Sequence, residues 1–487
     1  MNRNRTILLF FASLTIITGS SCKKFLQEKI YTQYDPSVFT ATENGVQLIL
    51  TGAYSRETMI EYDMRDYFYM MNEFPTDEMD DANGGLYASA VLFMQFKWDA
   101  TNSVTSAQYS RMYTAIRDAN VLLDNIKNVT SLSAAKLAQY SAEARFIRAQ
   151  AYAVLYYSFG PTPLITTAQT IDLKPFRAGD DSMRQFIASE LTAAAADLPV
   201  TPRAYGTASR GAALGVLCKF YLNTKQWQKC SDVADQIIGL KSYALFPDIT
   251  RLFAVQNNHN NEYLYYFPCV TSPAGYGNIV MAHSFPLNYP ILSNWVNFGT
   301  KFHIMTSVVN SFDPADRRLQ MIDTLYKNIA GQTVRLNTDA QGKPLNMSAS
   351  FKFVPDSSSL GVDMGNYVPM VRYADILLSK AEALNNLNGP TPASFDLIDT
   401  VRRRAGLPNL DPAKYPSTEA LNDAILQERQ WEFYGEGLRR QDMIRMGKFI
   451  SSAMARGMTN AKPYHVLYPI PQSELQSNPN LKQNLGY

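Results

Sequence analysis

The sequence predicts a mostly α fold: a tetratricopeptide-like helical repeat scaffold carrying loop-rich, aromatic insertions. Three observations predict it. Long stretches of the 487-residue chain place apolar residues at helical spacing. Two helical hairpins, far apart in the chain, repeat one pattern of small residues. Between them, residues 240–368 lose the helical period and fill with Gly, Pro, Asn, Ser and aromatic side chains.

In chain order, 109–126 and 134–159 read as an antiparallel helix pair, the second stopped by Gly160-Pro161. A helix over 182–198 ends before Pro199. Helices over 208–222 and 226–238 form a hairpin around Asn223-Thr224-Lys225. Its first helix repeats Ala213, Leu217 and Tyr221 at i+4, and its second, opened by Trp227, repeats Cys230, Ala234 and Ile238. Small residues at that spacing let two helices approach closely, as tetratricopeptide hairpins do. A second copy spans 371–388 and 394–405, where Leu377-Leu378-Ser379-Lys380 echoes Val216-Leu217-Cys218-Lys219. Generic amphipathic packing favours the same residues; two similar units with helices between them favour a repeat.

At the N-terminus, Arg3 and Arg5 precede an apolar run over residues 7–17, and Gly19, Ser20 and Ser21 lead into Cys22. A basic start, a short apolar run and a small-residue exit form an export signal. The run is well short of the roughly 20 residues that a membrane-spanning helix needs. A thiol directly after small residues suits lipoprotein processing, so Cys22 is read as the lipidated first residue of the mature chain, with residues 1–21 removed and 22–40 as a tether. Position −3 is Gly19 where bacterial lipoprotein signals usually carry Leu, and Lys23 and Lys24 follow the cysteine. Loss of Arg3 and Arg5 leaves basic and acidic residues in balance, which gives no case for nucleic acid or another polyanion. Cys218, Cys230 and Cys269 are too few and odd in number for a disulfide framework.

The central insertion is crowded with rings from 262 to 305: Tyr263, Tyr265, Tyr266, Phe267, Tyr276, Phe285, Tyr289, Trp295, Phe298 and Phe302. A second polar-aromatic segment runs from 62 to 98, and the two are expected to meet on one face of the scaffold. Long structureless loops usually carry function or are disordered, and this aromatic content argues against disorder. Catalytic and cofactor signals are absent. His259, His283, His303 and His465 show no ligand-type pairing, and P-loop, dinucleotide and Gly-x-Ser-x-Gly fingerprints are missing, so neither metal nor cofactor is expected. The acidic stretch 77–84 fails the EF-hand register at Met79 and Ala82 and reads as a solvated loop.

Glu428, Glu432 and Glu436 share one helical stripe and would repel one another unless paired. Arg402, Arg403 and Arg404 are the expected counter-charges of a partly buried network. Paired acids also serve glycoside hydrolysis. The motifs around them point elsewhere.

In order along the chain come Trp98-Asp-Ala-Thr-Asn102, then Tyr113-Thr-Ala-Ile-Arg-Asp-Ala-Asn120, then Ala142-Glu-Ala-Arg-Phe-Ile-Arg-Ala149 with Phe159-Gly-Pro-Thr-Pro-Leu164. Arg372-Tyr-Ala-Asp-Ile-Leu-Leu378, Val401-Arg-Arg-Arg-Ala-Gly-Leu-Pro408 and the Glu428…Arg445 segment follow. The chain closes on Tyr464-His-Val-Leu-Tyr-Pro-Ile-Pro-Gln-Ser-Glu474 and Asn478-Pro-Asn-Leu-Lys-Gln-Asn-Leu-Gly-Tyr487. This succession resembles the SusD/RagB family of outer-membrane nutrient-binding lipoproteins, departing from it at Leu485, where Pro is common. The resemblance implies one SusD-like domain over 41–487, made of a helical part (41–239), the loop-rich insertion (240–368) and a C-terminal helical part with its tail (369–487). It assigns the Glu428 segment to the scaffold and so implies no catalysis.

The resemblance also implies a lipid-anchored, surface-exposed outer-membrane protein that captures an oligosaccharide for a SusC-like TonB-dependent β-barrel partner. Sugar capture needs flat aromatic faces and hydrogen-bonding side chains. Trp98 with Asn102, and Tyr276, Tyr289, Trp295 and Phe298, are the candidate ligand residues, although each ring would serve equally in a core. Two alternatives stay open: an oligopeptide ligand, as the RagB side of the family implies, and a helical scaffold for other envelope proteins with no small ligand.

Overall fold

A computed structural model of the chain describes residues 42–57, 68–81, 84–169, 172–272, 276–299, 301–339 and 341–487. The leader, Cys22, the tether and residues 58–67 of the first insertion lie outside the described residues. No helix among the described residues is long and apolar enough to cross a membrane.

The helices are α1 (Glu43–Glu57), α2 (Tyr87–Met94), α3 (Ser103–Asn125), α4 (Ala134–Phe159), α5 (Asp180–Asp197), α6 (Arg210–Asn223) and α7 (Trp227–Gly239). A short α8 (Val280–Ser284) lies in the central insertion, and α9 (Tyr373–Asn388), α10 (Pro392–Arg404), α11 (Thr418–Phe433) and α12 (Arg439–Arg445) follow it. From α3 to α7 each helix packs on the next, and α9 continues the row by packing on α7 before α10 packs on α9. The fold is therefore the expected mostly α, tetratricopeptide-like scaffold.

Local chemistry sets the helix ends. Asn102, Ser133 and Ser209 cap α3, α4 and α6 by accepting from the free amides of their first turns. Gly160 ends α4 at a φ of 71°, where a side chain would be strained. The echoed small residues meet as their spacing requires. Cys230 of α7 has its sulfur 3.7 Å from that of Cys218 on α6 and 3.8 Å from the carbonyl of Ser379 on α9.

The two insertions supply most of the β structure. Strands β1 (Met79–Asp80), β3 (His303–Ile304), β7 (Ala349–Ser350) and β4 (Ile322–Asp323) form one small sheet in the order β1-β3-β7-β4. Strand β2 (Tyr263–Phe267) pairs with β8 (Val368–Arg372), and β5 (Leu325–Lys327) pairs with β6 (Thr333–Arg335). The β1–β3 pair joins the two insertions, with Met79 opposite Ile304 and Asp80 opposite His303. Phe302 seals the joint against Tyr69 and Phe74, at ring separations of 4.9 and 5.7 Å.

The glutamate stripe is buried, and its partners come from both the insertion and the C-terminal helical part. Arg318 reaches Glu428 at 2.7 Å and Glu432 at 3.2 Å, while Arg372 bridges Glu262, Glu432 and Glu436. Arg402 pairs with Glu428, and Arg404 with Glu432 and Glu262. Arg403 corrects the expectation: it faces solvent and binds Asn409 and Thr400 instead. Burial alone would raise the Glu432 carboxyl, but Arg404, Arg372 and Arg318 outweigh it and hold the group well below the usual carboxylate range.

The described part of the acidic stretch, residues 77–81, is not a solvated loop. Asp77 accepts two bonds from Arg439, at 2.8 and 2.9 Å, and Glu78 and Asp81 are buried. Glu78 accepts from the amide of Gly435 at 2.8 Å, and its buried neighbour Glu73 accepts from that of Gly437. The stretch thus clips the first insertion onto the turn after α11. Burial pushes the Glu78 carboxyl up to about 7, and it raises Glu73 as well, helped by the charge of Glu78.

Candidate functional site

The central insertion builds an aromatic surface around Phe285, the residue that ends α8. Phe285 is fully buried. The rings of Trp295 and Tyr289 lie nearly parallel to it, at 5.3 Å and 12° and at 5.7 Å and 18°. Both of these outer rings remain partly exposed.

Hydrogen bonds hold the loops rigidly. The indole N–H of Trp295 donates to the carbonyl of Asp356 at 2.9 Å. Asn294 donates to the carbonyls of Ser359 and Ser357, and its own carbonyl accepts from Gly361. Asn297 donates to Pro286 at 2.7 Å and accepts from Gly299 at 2.6 Å. A surface fixed before its ligand arrives loses less entropy on binding.

Exposed apolar and polar groups surround these rings. Leu287, Leu292, Leu360 and Tyr276 are all strongly exposed. Tyr276 belongs to the same surface through residues 361–364, since Gly277 donates to Asp363, Asn278 pairs with Met364, and Trp295 bridges to Gly361. Asp323, at the edge of the small sheet, is half-buried, and burial raises its carboxyl. Its charge helps burial to raise the Tyr289 hydroxyl. No hydrogen-bond partner engages the Asp323 carboxyl among the described residues, which leaves it available to a ligand hydroxyl.

Four of the six candidate ligand residues therefore lie in this lobe. Tyr289 and Trp295 share Phe285, Tyr276 flanks them, and Phe298 packs on His283 at 4.9 Å, towards the junction with the first insertion. The other two are corrections. Trp98 is 3% exposed, ringed by Phe93, Phe96, His465 and Tyr468, and its indole N–H donates to Tyr487 at 2.8 Å. The C-terminal tail covers it, so it offers no face to a ligand. Asn102 is buried because its carboxamide oxygen caps α3, accepting from Val104 and Thr105. Sequence reasoning missed Asp323, which only the strand pairing brings beside Tyr289.

A second space, about 130 Å³, lies within the helical layer, lined by Gln108, Met112, Gln150, Val216, Phe267 and others. Sites for drug-sized ligands begin at about 300 Å³, so this one does not suit an oligomeric ligand. No group of three metal-ligating side chains occurs among the described residues.

Comparison with known proteins agrees with this architecture. Residues 291–487 match the model of the SusD family, and residues 24–222 match a model described as "Starch-binding associating with outer membrane". A SusD-like protein of Formosa agariphila is 25% identical, over 97% of this chain and 98% of its own. The starch-binding protein SusD of Bacteroides thetaiotaomicron is also 25% identical, over 85% and 84%. Among solved structures, a laminarin-binding SusD-like protein superposes with a TM-score of 0.78 at 24% identity, over 92% of this chain and all of its own. Surface glycan-binding protein A of Bacteroides thetaiotaomicron, solved with laminarihexaose, superposes with a TM-score of 0.75 at 19% identity, over 91% and 99%. With matching models over both helical parts and full-length relatives of one kind, the chain belongs to the SusD/RagB family.

Proposed function

We propose that this protein binds an oligosaccharide at the outer membrane through the aromatic surface of its central insertion, and that it acts without catalysis. The observation that carries the reading is the rigid arrangement of Trp295, Phe285 and Tyr289, two partly exposed rings backed by a buried third. Stacking on sugar rings needs flat, preorganised faces, with nearby groups such as Asp323 to fix orientation. The starch- and laminarin-binding relatives support the same ligand class. In this reading Cys22 carries the lipid anchor, and the bound sugar passes to a SusC-like TonB-dependent barrel.

Calorimetric titration against a panel of oligosaccharides and oligopeptides tests the ligand class. Binding within the oligosaccharide panel is the expected result; binding of peptides alone would move the protein to the RagB side of the family. Co-purification of a β-barrel from detergent-solubilised membranes tests the partner. Metabolic labelling with a clickable fatty acid tests the anchor, and a Cys22→Ala variant should lose the label.

A further inference from the structure

A second aromatic cluster reaches the surface away from Phe285. Tyr205, in the loop before α6, is 63% exposed, and its ring stacks on the imidazole of His259 at 3.8 Å and 23°. His259 is itself exposed and meets Tyr367 edge-on at 5.4 Å. Tyr367 in turn stacks on Tyr266 of β2 at 5.1 Å and 13°. Four rings from three separate segments thus touch in series.

The backbone beneath them is locked. Gly206, at a φ of 78°, sits so close to Pro268 that a β-carbon there would fall 2.4 Å from the proline ring. Thr207 ties the loop back to the carbonyl of Ala204, and the Tyr266 hydroxyl bonds the Gly206 backbone. The buried Asn258 clamps the neighbouring segment, donating to Gly365 at 2.8 Å and accepting from the amide of Tyr367 at 3.0 Å, which holds His259 beside Tyr367.

The chemistry at the tips is open. The hydroxyls of Tyr205 and Tyr367 and the imidazole nitrogens of His259 have no hydrogen-bond partner among the described residues, and none of the four side chains is a carboxylate or a lysine or arginine cation. A neutral ligand with an apolar face and a rim of hydroxyls matches such a surface, and a pyranose ring has that form. Tyr367 lies six residues beyond Gly361, the neighbour of Trp295, a reach of at most about 22 Å. One extended oligosaccharide can therefore touch both clusters, and a chain too short to reach from Trp295 to Tyr205 engages only one.

We propose that Tyr205, His259, Tyr266 and Tyr367 form a second sugar-stacking subsite that engages the far end of a chain held at Trp295. This rests on the carbohydrate reading above and adds a preference for longer chains. The test compares wild type with a Tyr205→Ala, His259→Ala double variant by calorimetry, using laminarihexaose, maltohexaose and the corresponding disaccharides. For a hexasaccharide that binds, the double variant should lose at least about tenfold in affinity, while any disaccharide affinity stays within about twofold. Tyr205→Phe, which keeps the ring, should retain most of the affinity, and melting temperatures should match because both residues are exposed. Unchanged hexasaccharide affinity in a folded double variant overturns the subsite and leaves the Trp295 site standing. Wild-type protein that binds no sugar of the wider panel overturns the carbohydrate reading, and the subsite with it.

Discussion

Trp98 and Trp295 occupy two regions of similar composition and opposite fate. Both lie in segments poor in helical period and rich in polar neighbours. Around Trp98 the C-terminal tail closes in: Tyr468 and His465 pack on the indole, Tyr487 accepts its N–H, and Tyr468 donates onward to the carbonyl of Met71. Around Trp295 the segment that returns, residues 356–361, ties the indole at its edge and leaves the ring partly exposed. Its indole N–H is satisfied by Asp356, and its ring rests on Phe285 with one side of the lobe open to solvent. A ring becomes core or surface according to what covers it, and the covering segment can lie hundreds of residues away.

The largest expected effect separates the two directly. Trp98→Ala should lose about 3–5 kcal/mol of stability, the usual result of truncating a buried aromatic. Chemical denaturation measures it. A loss below about 1 kcal/mol would mean that the tail does not seal this ring.

The charged core sharpens the contrast, because it too is built from distant partners. Glu432→Ala takes one buried carboxylate partner from Arg318, Arg372 and Arg404 at once and should cost about 3–5 kcal/mol. Arg403→Ala, on the exposed side of α10 beside Arg404, should stay within about 0.5 kcal/mol. Equal effects in the two variants would contradict the assignment of buried and exposed arginines.

A smaller, pH-dependent effect belongs to the clip between the first insertion and the turn after α11. Burial pushes the Glu78 carboxyl up to about 7 from an ordinary 4.5, so the folded protein keeps a proton that the unfolded chain releases earlier. The stability held by this group is full below about pH 4.5 and is lost as pH rises through about 7. Denaturation midpoints across that range should fall for wild type, and Glu78→Gln should flatten the decline. A midpoint that rises between pH 5 and 7 in wild type, and still rises in the variant, would show that this carboxyl does not set the slope.

Much of the scaffold was legible because its signals are local. The 134–159 helix carries its own stop at Gly160-Pro161, and the small residues around Cys218, Cys230 and Ser379 state the close approach that the packing then shows. The glutamate stripe was legible as a set of charges needing partners. Its chief partners, Arg318 and Arg372, were not, since they stand 110 and 60 residues from the acids they bind. The burial of Glu78 and Asp81 was hidden for the same reason: a run of acids reads as solvated until a distant pair of glycine amides and Arg439 arrive to meet it. At the candidate site, Tyr289 and Trp295 were legible as rings in a loop, and Phe285 was visible in the same run. Its place beneath both depends on the turn over residues 286–289, which a pattern of residue types does not specify.

The central claim is that the surface around Trp295 holds a sugar. Its most direct test is Trp295→Ala, titrated beside wild type with an oligosaccharide that wild type binds. Loss of a stacked anchor at a binding surface commonly costs about 2 kcal/mol, so affinity should fall about thirtyfold. The fold should persist, with a much smaller loss of stability than in the Trp98 variant. Wild-type affinity in a folded Trp295→Ala protein would contradict the claim and place the ligand elsewhere on the molecule.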